Sequence, residues 1–261
     1  MSDLKSESAF TLPAVDKSDH RYLLTVKNLN NRAVACRQQN DLKSAIENYN
    51  EALRIDRESA VLYNNRGVVW LKKKEFEQAI SDFDSALKIE PDLGLAYYNR
   101  GIAWRAKKKL DRAIADFTRA IDVTPEFVKA YNNRGEAYAV KGELDLAIKD
   151  FTRAIEIDPG LAPVYNNRGE SRHKKGDLAA AESDYRQALK LDPAFPVAFY
   201  NRSKLRLENG DKEGAIADLK KTLKLDPDLG KAYRLLSRLL KSSSKDVDAR
   251  HRKRLLTRKG D

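Results

Sequence analysis

The sequence predicts an all-α chain built as a solenoid. Three observations carry the prediction. A five-residue phrase recurs every 34 residues: Tyr63-Asn64-Asn65-Arg66-Gly67, Tyr97-Tyr98-Asn99-Arg100-Gly101, Tyr131-Asn132-Asn133-Arg134-Gly135 and Tyr165-Asn166-Asn167-Arg168-Gly169. Weaker copies at Leu29–Ala33 and Phe199–Ser203 keep the register, with no insertion or deletion. Between the copies, apolar residues fall at helical spacing. A fixed period of this length means stacked units, each burying its apolar face against its neighbours.

Composition agrees. Of 261 residues, 41% are hydrophobic and 34% charged, which allows a continuous core under a polar surface. Twelve glycines and eight prolines are too few for a low-complexity chain. Cys36 is the one cysteine, so an intramolecular disulfide and a Cys-based metal site are excluded. No apolar run is long enough to span a bilayer, and the charged N-terminal stretch lacks the apolar core of a secretory signal. The expected location is the cytoplasm.

Residues 1–25 precede the register and read as a partly disordered N-terminal extension. Within 94–127, Leu95, Tyr98, Ile102 and Trp104 lie on one helical pattern. Lys107-Lys108-Lys109 interrupts it. Leu110, Ala113, Ile114, Phe117, Ala120 and Ile121 mark a second amphipathic helix. Thr124-Pro125 closes it, since proline disfavours helix in the residue before it. Each repeat is therefore helix, turn, helix. Glycine inside a helix costs about 1 kcal/mol relative to alanine, so Gly67, Gly101, Gly135 and Gly169 read as close-contact points. Gly142, Gly176 and Gly210 sit where a helix can end in the left-handed conformation. Asn40, Lys74 and Lys108 occupy that place in the other repeats.

This pattern resembles the tetratricopeptide repeat. With repeats at 26–59, 60–93, 94–127, 128–161, 162–195 and 196–229, position 20 is Ala45, Ala79, Ala113, Ala147, Ala181 and Ala215. Position 24 is Tyr49, Phe83, Phe117, Phe151, Tyr185 and Leu219, and proline fills position 32 in all but the first. The resemblance implies a right-handed superhelical α-solenoid of six units. Residues 230–241 then read as a solvating capping helix in which Tyr233 continues position 4, and 242–261 as a basic tail. Position 7 departs from the family pattern, being Arg32, Arg66, Arg100, Arg134, Arg168 and Arg202. An acidic row runs with it at position 23, Asp82, Asp116, Asp150, Asp184 and Asp218, which predicts structural pairing.

Position 6 is asparagine throughout: Asn31, Asn65, Asn99, Asn133, Asn167 and Asn201. The resemblance places it on the concave face, where a row of amides could grip the backbone of an extended peptide. The bland reading is that these amides satisfy local groups. Groove positions expected to set specificity include Tyr98, Arg105, Lys129, Asn132, Glu136, Asn166 and Tyr200. A protein-interaction scaffold binding a partner segment in this groove is the expected function. The family's two-carboxylate clamp for chaperone C-termini is absent, which argues against a cochaperone.

The alternative lies in the tail. Residues 231–261 hold eleven Lys or Arg against three Asp. Arg250, Arg252, Lys253 and Arg254 could contact nucleic acid or an acidic membrane, but no aromatics interleave them for base stacking. No glycine-rich phosphate loop is present, and His20, His173 and His251 lack metal-ligand spacing. The reading is therefore non-catalytic, with no cofactor, metal or small-molecule substrate.

Overall fold

The computed structural model of the protein describes residues 20–241. Its helices are α1 (His20–Gln38), α2 (Leu42–Ile55), α3 (Ala60–Lys72), α4 (Phe76–Ile89), α5 (Gly94–Ala106), α6 (Leu110–Val123), α7 (Val128–Lys141), α8 (Leu144–Ile157), α9 (Ala162–Lys175), α10 (Leu178–Leu191), α11 (Pro196–Glu208) and α12 (Lys212–Leu225). A final helix, α13, covers 230–241. Among the described residues every regular element is a helix. The order is six helix-turn-helix pairs followed by one more helix. One boundary differs from the sequence reading: α1 begins at His20, so 20–25 belong to a helix and not to the extension. Tyr22 anchors this added stretch, being only 9% exposed. The helices fall into two units, α1–α5 in the first and α6–α13 in the second.

The turns follow local chemistry. Gly142, Gly176 and Gly210 have φ of 83°, 92° and 79°. Asn40, Lys74 and Lys108 adopt the same region at 63°, 63° and 60°, which costs a lysine about 1 kcal/mol. At two helix starts an aspartate replaces missing helical partners: Asp41 accepts from the Ser44 amide at 3.1 Å and Asp211 from the Gly214 amide at 2.8 Å.

The core is a contact between small and large side chains inside each helix pair. Ala45, Ala79, Ala147, Ala181 and Ala215 have no exposure. The position-8 glycines meet the position-24 rings. A Cβ on Gly67 would lie 2.6 Å from Phe83 Cε1, and one on Gly135 would lie 2.8 Å from Phe151 Cε1. At Gly169 the ring is that of Tyr185, at 3.0 Å. The last repeat changes both partners: Ser203 stands for glycine and Leu219 for the aromatic, and both are fully buried. The hydroxyls of Tyr49 and Tyr185 are buried with no hydrogen-bond partner among the described residues.

The final helix buries Ala232 completely and leaves Tyr233 63% exposed. Arg234, Arg238 and Lys241 are exposed, as a capping helix requires.

Candidate functional site: the face of the first helices

In the first unit α3 lies beside α5; in the second α9 lies beside both α7 and α11. These are the first helices of their pairs, and they carry the position-5, -6, -7 and -9 side chains. What those side chains do for the fold decides what remains for a ligand.

The arginines at position 7 are structural. Arg66 grips Asp82 through two parallel bonds, Nε–Oδ2 at 2.8 Å and Nη2–Oδ1 at 2.6 Å. Arg134 grips Asp150 at 2.7 and 2.8 Å, Arg168 grips Asp184 at 3.1 and 2.7 Å, and Arg202 grips Asp218 at 2.8 and 2.7 Å. The third guanidinium nitrogen reaches back to position 25 of the preceding repeat. Arg66 Nη1 donates to Asn50, Arg100 to Asp84, Arg134 to Thr118 and Arg168 to Thr152, at 2.6–3.2 Å. Each guanidinium also stacks over the position-4 ring, at 5.5 Å for Arg66 on Tyr63 and 5.6 Å for Arg134 on Tyr131. One side chain thus ties three helices. Arg32 faces Asn48 in the register where the others have aspartate, and it is exposed. Where position 11 is arginine, the aspartate takes a second guanidinium: Arg172 reaches Asp184 at 2.8 Å and Arg206 reaches Asp218 at 3.0 Å.

A second ladder escaped the sequence reading. Position 14 pairs with position 18 of the preceding repeat: Lys107 with Glu77, Lys141 with Asp111 at 2.8 Å, and Lys175 with Asp145. At the last repeat the same places hold Asn209 and Ala179.

The asparagine row is largely committed to the stack. Asn65 Nδ2 donates to Asn30 Oδ1 at 3.2 Å, Asn99 to Asn64 at 2.9 Å, Asn167 to Asn132 at 3.2 Å and Asn201 to Asn166 at 3.0 Å. Position 6 of one repeat thus donates to position 5 of the repeat before it. Asn133 donates to the Lys129 carbonyl of its own helix at 2.8 Å, and position 5 of the preceding repeat is Tyr98. Burial corrects part of the expected ladder. Of its members Asn201 is 3% and Asn133 9% exposed, and the expected groove residue Asn166 is 3% exposed, so these three cannot line an open surface. Asn65, Asn99 and Asn167 are half-buried, and Asn31 is exposed.

The other expected groove residues also have places. Asn132 donates to Glu136 at 2.8 Å, and Asn167 donates to the same carboxylate at 3.1 Å, making one polar knot on α7 and α9. Lys129 is exposed; Tyr98, Arg105 and Tyr200 are half-buried. Nearby, Glu170 bonds Lys174 at 2.9 Å. Partial burial would raise the Glu170 carboxyl, but Lys174, Lys204 and Lys231 hold it below its ordinary value. His173 reaches Glu208 on α11 at 2.9 Å.

Beyond α11 the amide relay stops. Positions 5 and 6 there are Tyr200 and Leu235. A cleft of about 630 Å³ opens between α11 and α13, lined by Tyr200, Lys204, Leu207, Glu208, Lys231, Arg234, Leu235 and Arg238. Lys204 and Lys231 lie over the Tyr200 ring at 5.4 and 4.7 Å. Burial first, then Lys231 and Lys174, push the Lys204 ammonium below its ordinary value, against the pull of Glu170 and Glu208.

The tail residues Arg250, Arg252, Lys253 and Arg254 lie outside the described residues. So do His251 and the extension up to residue 19. Among the described residues no group of three His, Cys, Asp or Glu could hold a metal ion, and no helix is long and apolar enough to cross a membrane.

No curated protein matches the chain. Among solved structures, the one described as YrrB, a TPR protein with an unusual peptide-binding site, is 24% identical; the match covers 72% of this chain and 96% of that one, with a TM-score of 0.60. The type IV pilus biogenesis factor PilW is 19% identical over 81% of this chain and 98% of its own, with a TM-score of 0.74. PilF of Pseudomonas aeruginosa is 15% identical over 84% of this chain and 99% of its own, with a TM-score of 0.73. These likenesses concern the fold. The sequence pattern of the tetratricopeptide repeat matches 60–93, 128–161, 162–195 and 197–229, and that of the TPR repeat matches 34–74 and 103–142. With its helix pairs, its glycine–aromatic contacts and its matched repeats, the chain belongs to the tetratricopeptide repeat family.

Proposed function

We propose that the chain is a non-catalytic interaction scaffold in the cytoplasm, and that the face of its first helices takes an extended segment of a protein partner. One observation carries this reading. The half-buried amides on that face are held by one another, as in Asn65 to Asn30, at fixed geometry. An amide offers two donors and one acceptor, and Asn65 and Asn99 each spend one donor on the relay. The remaining donor and the carbonyl oxygen suit a peptide backbone. Side chains already fixed lose little freedom on binding. Tyr98 and Arg105 in the first unit, and Lys129 and Glu136 in the second, supply the chemistry that reads side chains on each.

Affinity capture with wild type and an Asn65→Ala/Asn99→Ala variant, side by side, tests this. A partner lost by a variant whose thermal melt still shows a folded chain supports the groove. Equal capture by both sinks it. Contact of the basic tail with nucleic acid or acidic membrane rests on its charge alone. Deleting 245–261 and finding unchanged salt-sensitive binding to DNA or acidic vesicles would remove that alternative.

A further inference from the structure

The cleft between α11 and α13 differs from the rest of the first-helix face in three ways. It lacks the amide relay, since Tyr200 and Leu235 stand where four of the five earlier junctions have two asparagines. It concentrates positive charge: Lys204, Lys231, Arg234 and Arg238 share one opening. And that charge is not paired at contact distance. None of these four cations has a carboxylate within ion-pair distance among the described residues, whereas Lys107, Lys141 and Lys175 all do. The single carboxylate in the lining, Glu208, is engaged by His173 from the neighbouring α9.

The charges are also positioned. Lys204 and Lys231 each lie over the Tyr200 ring, at 5.4 and 4.7 Å from its centroid, which holds both ammoniums at this opening. Leu207 and Leu235 give the same opening an apolar part. An apolar centre with a charged rim is the arrangement of a protein-binding pocket.

We propose that this cleft anchors an acidic segment of a protein partner, in which an apolar side chain rests on Leu207 and Leu235 and flanking Asp or Glu carboxylates meet Lys204, Lys231, Arg234 and Arg238. The inference rests on the reading that the first-helix face binds a peptide, and it names the class of peptide. A carboxylate arriving beside Lys204 and Lys231 supplies the close counter-charge that Glu170, paired with Lys174, gives only at longer range. A nucleic acid fits less well. The one ring in the lining, Tyr200, already has two ammoniums over it, and no further aromatic stands there to stack a base. A second copy of the chain is disfavoured by its net charge of +11.

The test is selection of a random phage-displayed peptide library on the full-length chain, followed by fluorescence anisotropy of the enriched peptides. The comparison variant is Arg234→Glu/Arg238→Glu, two exposed positions without internal ion pairs. Enriched peptides should carry Asp or Glu around an apolar residue, bind the variant at least about tenfold more weakly, and weaken as salt is raised. No enrichment, neutral or basic winners, or acidic winners held equally by the variant would each overturn the proposal. So would displacement of the peptide, at matched concentration, by a single-stranded oligonucleotide of equal charge. Neutral peptides lost by Asn65→Ala/Asn99→Ala but not by the cleft variant would overturn the acidic anchor and leave the groove standing.

Discussion

The side chain that Gly67 lacks would enter the ring of Phe83, 2.6 Å from Cε1. The same relation joins Gly135 to Phe151 at 2.8 Å. In the last repeat the chain itself shows the other solution, a small Ser203 against a smaller Leu219, both fully buried. Gly67→Ala should therefore destabilise the protein, overpacking by about 1–3 kcal/mol against a helix-propensity gain of about 1 kcal/mol. Adding Phe83→Leu should return most of the loss. Urea denaturation of the single and double variants measures both. A double variant no more stable than Gly67→Ala would show that the ring is not the obstacle.

Arg134 holds Asp150 by two bonds and Thr118 by a third, and the aspartate side chain is only 6% exposed. Removing one partner leaves a buried charge uncompensated. Arg134→Ala should cost about 3–5 kcal/mol. Arg134→Met with Asp150→Leu should cost clearly less, because neither charge then needs to be desolvated. Chemical denaturation of the three proteins gives the comparison, and equal losses would mean that packing alone is at stake.

Tyr185 presents a buried hydroxyl with no hydrogen-bond partner among the described residues, and burial pushes its phenol well above the ordinary range. Phe83, Phe117 and Phe151 fill the same repeat position without one. Tyr185→Phe should raise stability by about 1 kcal/mol or more. A loss in thermal or urea melts would mean that the hydroxyl is satisfied in solution.

Glu170 gives a pH dependence of known sign. Its folded-state value lies below its ordinary 4.5, through Lys174 above all, then Lys204 and Lys231. A depressed carboxylate stabilises the fold above the unfolded value, and the contribution fades as pH falls through the folded value. The stability difference between wild type and Glu170→Gln should thus be present at neutral pH and shrink in acid below 4.5. Denaturation curves at both ends of that range decide it; a difference independent of pH would rule out the carboxylate charge.

Much of the fold was legible because it repeats. The Arg–Asp fork was readable since both rows stay in phase through five repeats. The third bond of each arginine was not, because position 25 varies through Asn50, Asp84, Thr118, Thr152 and Arg186. The asparagine row was visible, but its partner was hidden by a broken pattern. Position 5 is asparagine at 30, 64, 132 and 166 and tyrosine at 98 and 200. That alternation was the available signal. The Lys141–Asp111 ladder needed a 30-residue backward spacing that no single helix displays. The start of α1 was missed because 20–25 carries none of the repeat's residues.

The ties that Arg134, Asn167 and Lys141 make to the preceding repeat point the same way along the chain. Arg134 reaches back to Thr118, Asn167 to Asn132 and Lys141 to Asp111. Each donor finds its acceptor in a segment the ribosome has already released. A growing chain can therefore close these three ties without waiting for sequence still to be translated. Cutting from the two ends should not be equivalent. Removal from the C-terminus takes donors and acceptors away in order, while removal from the N-terminus strands a guanidinium and an amide on the first unit that remains.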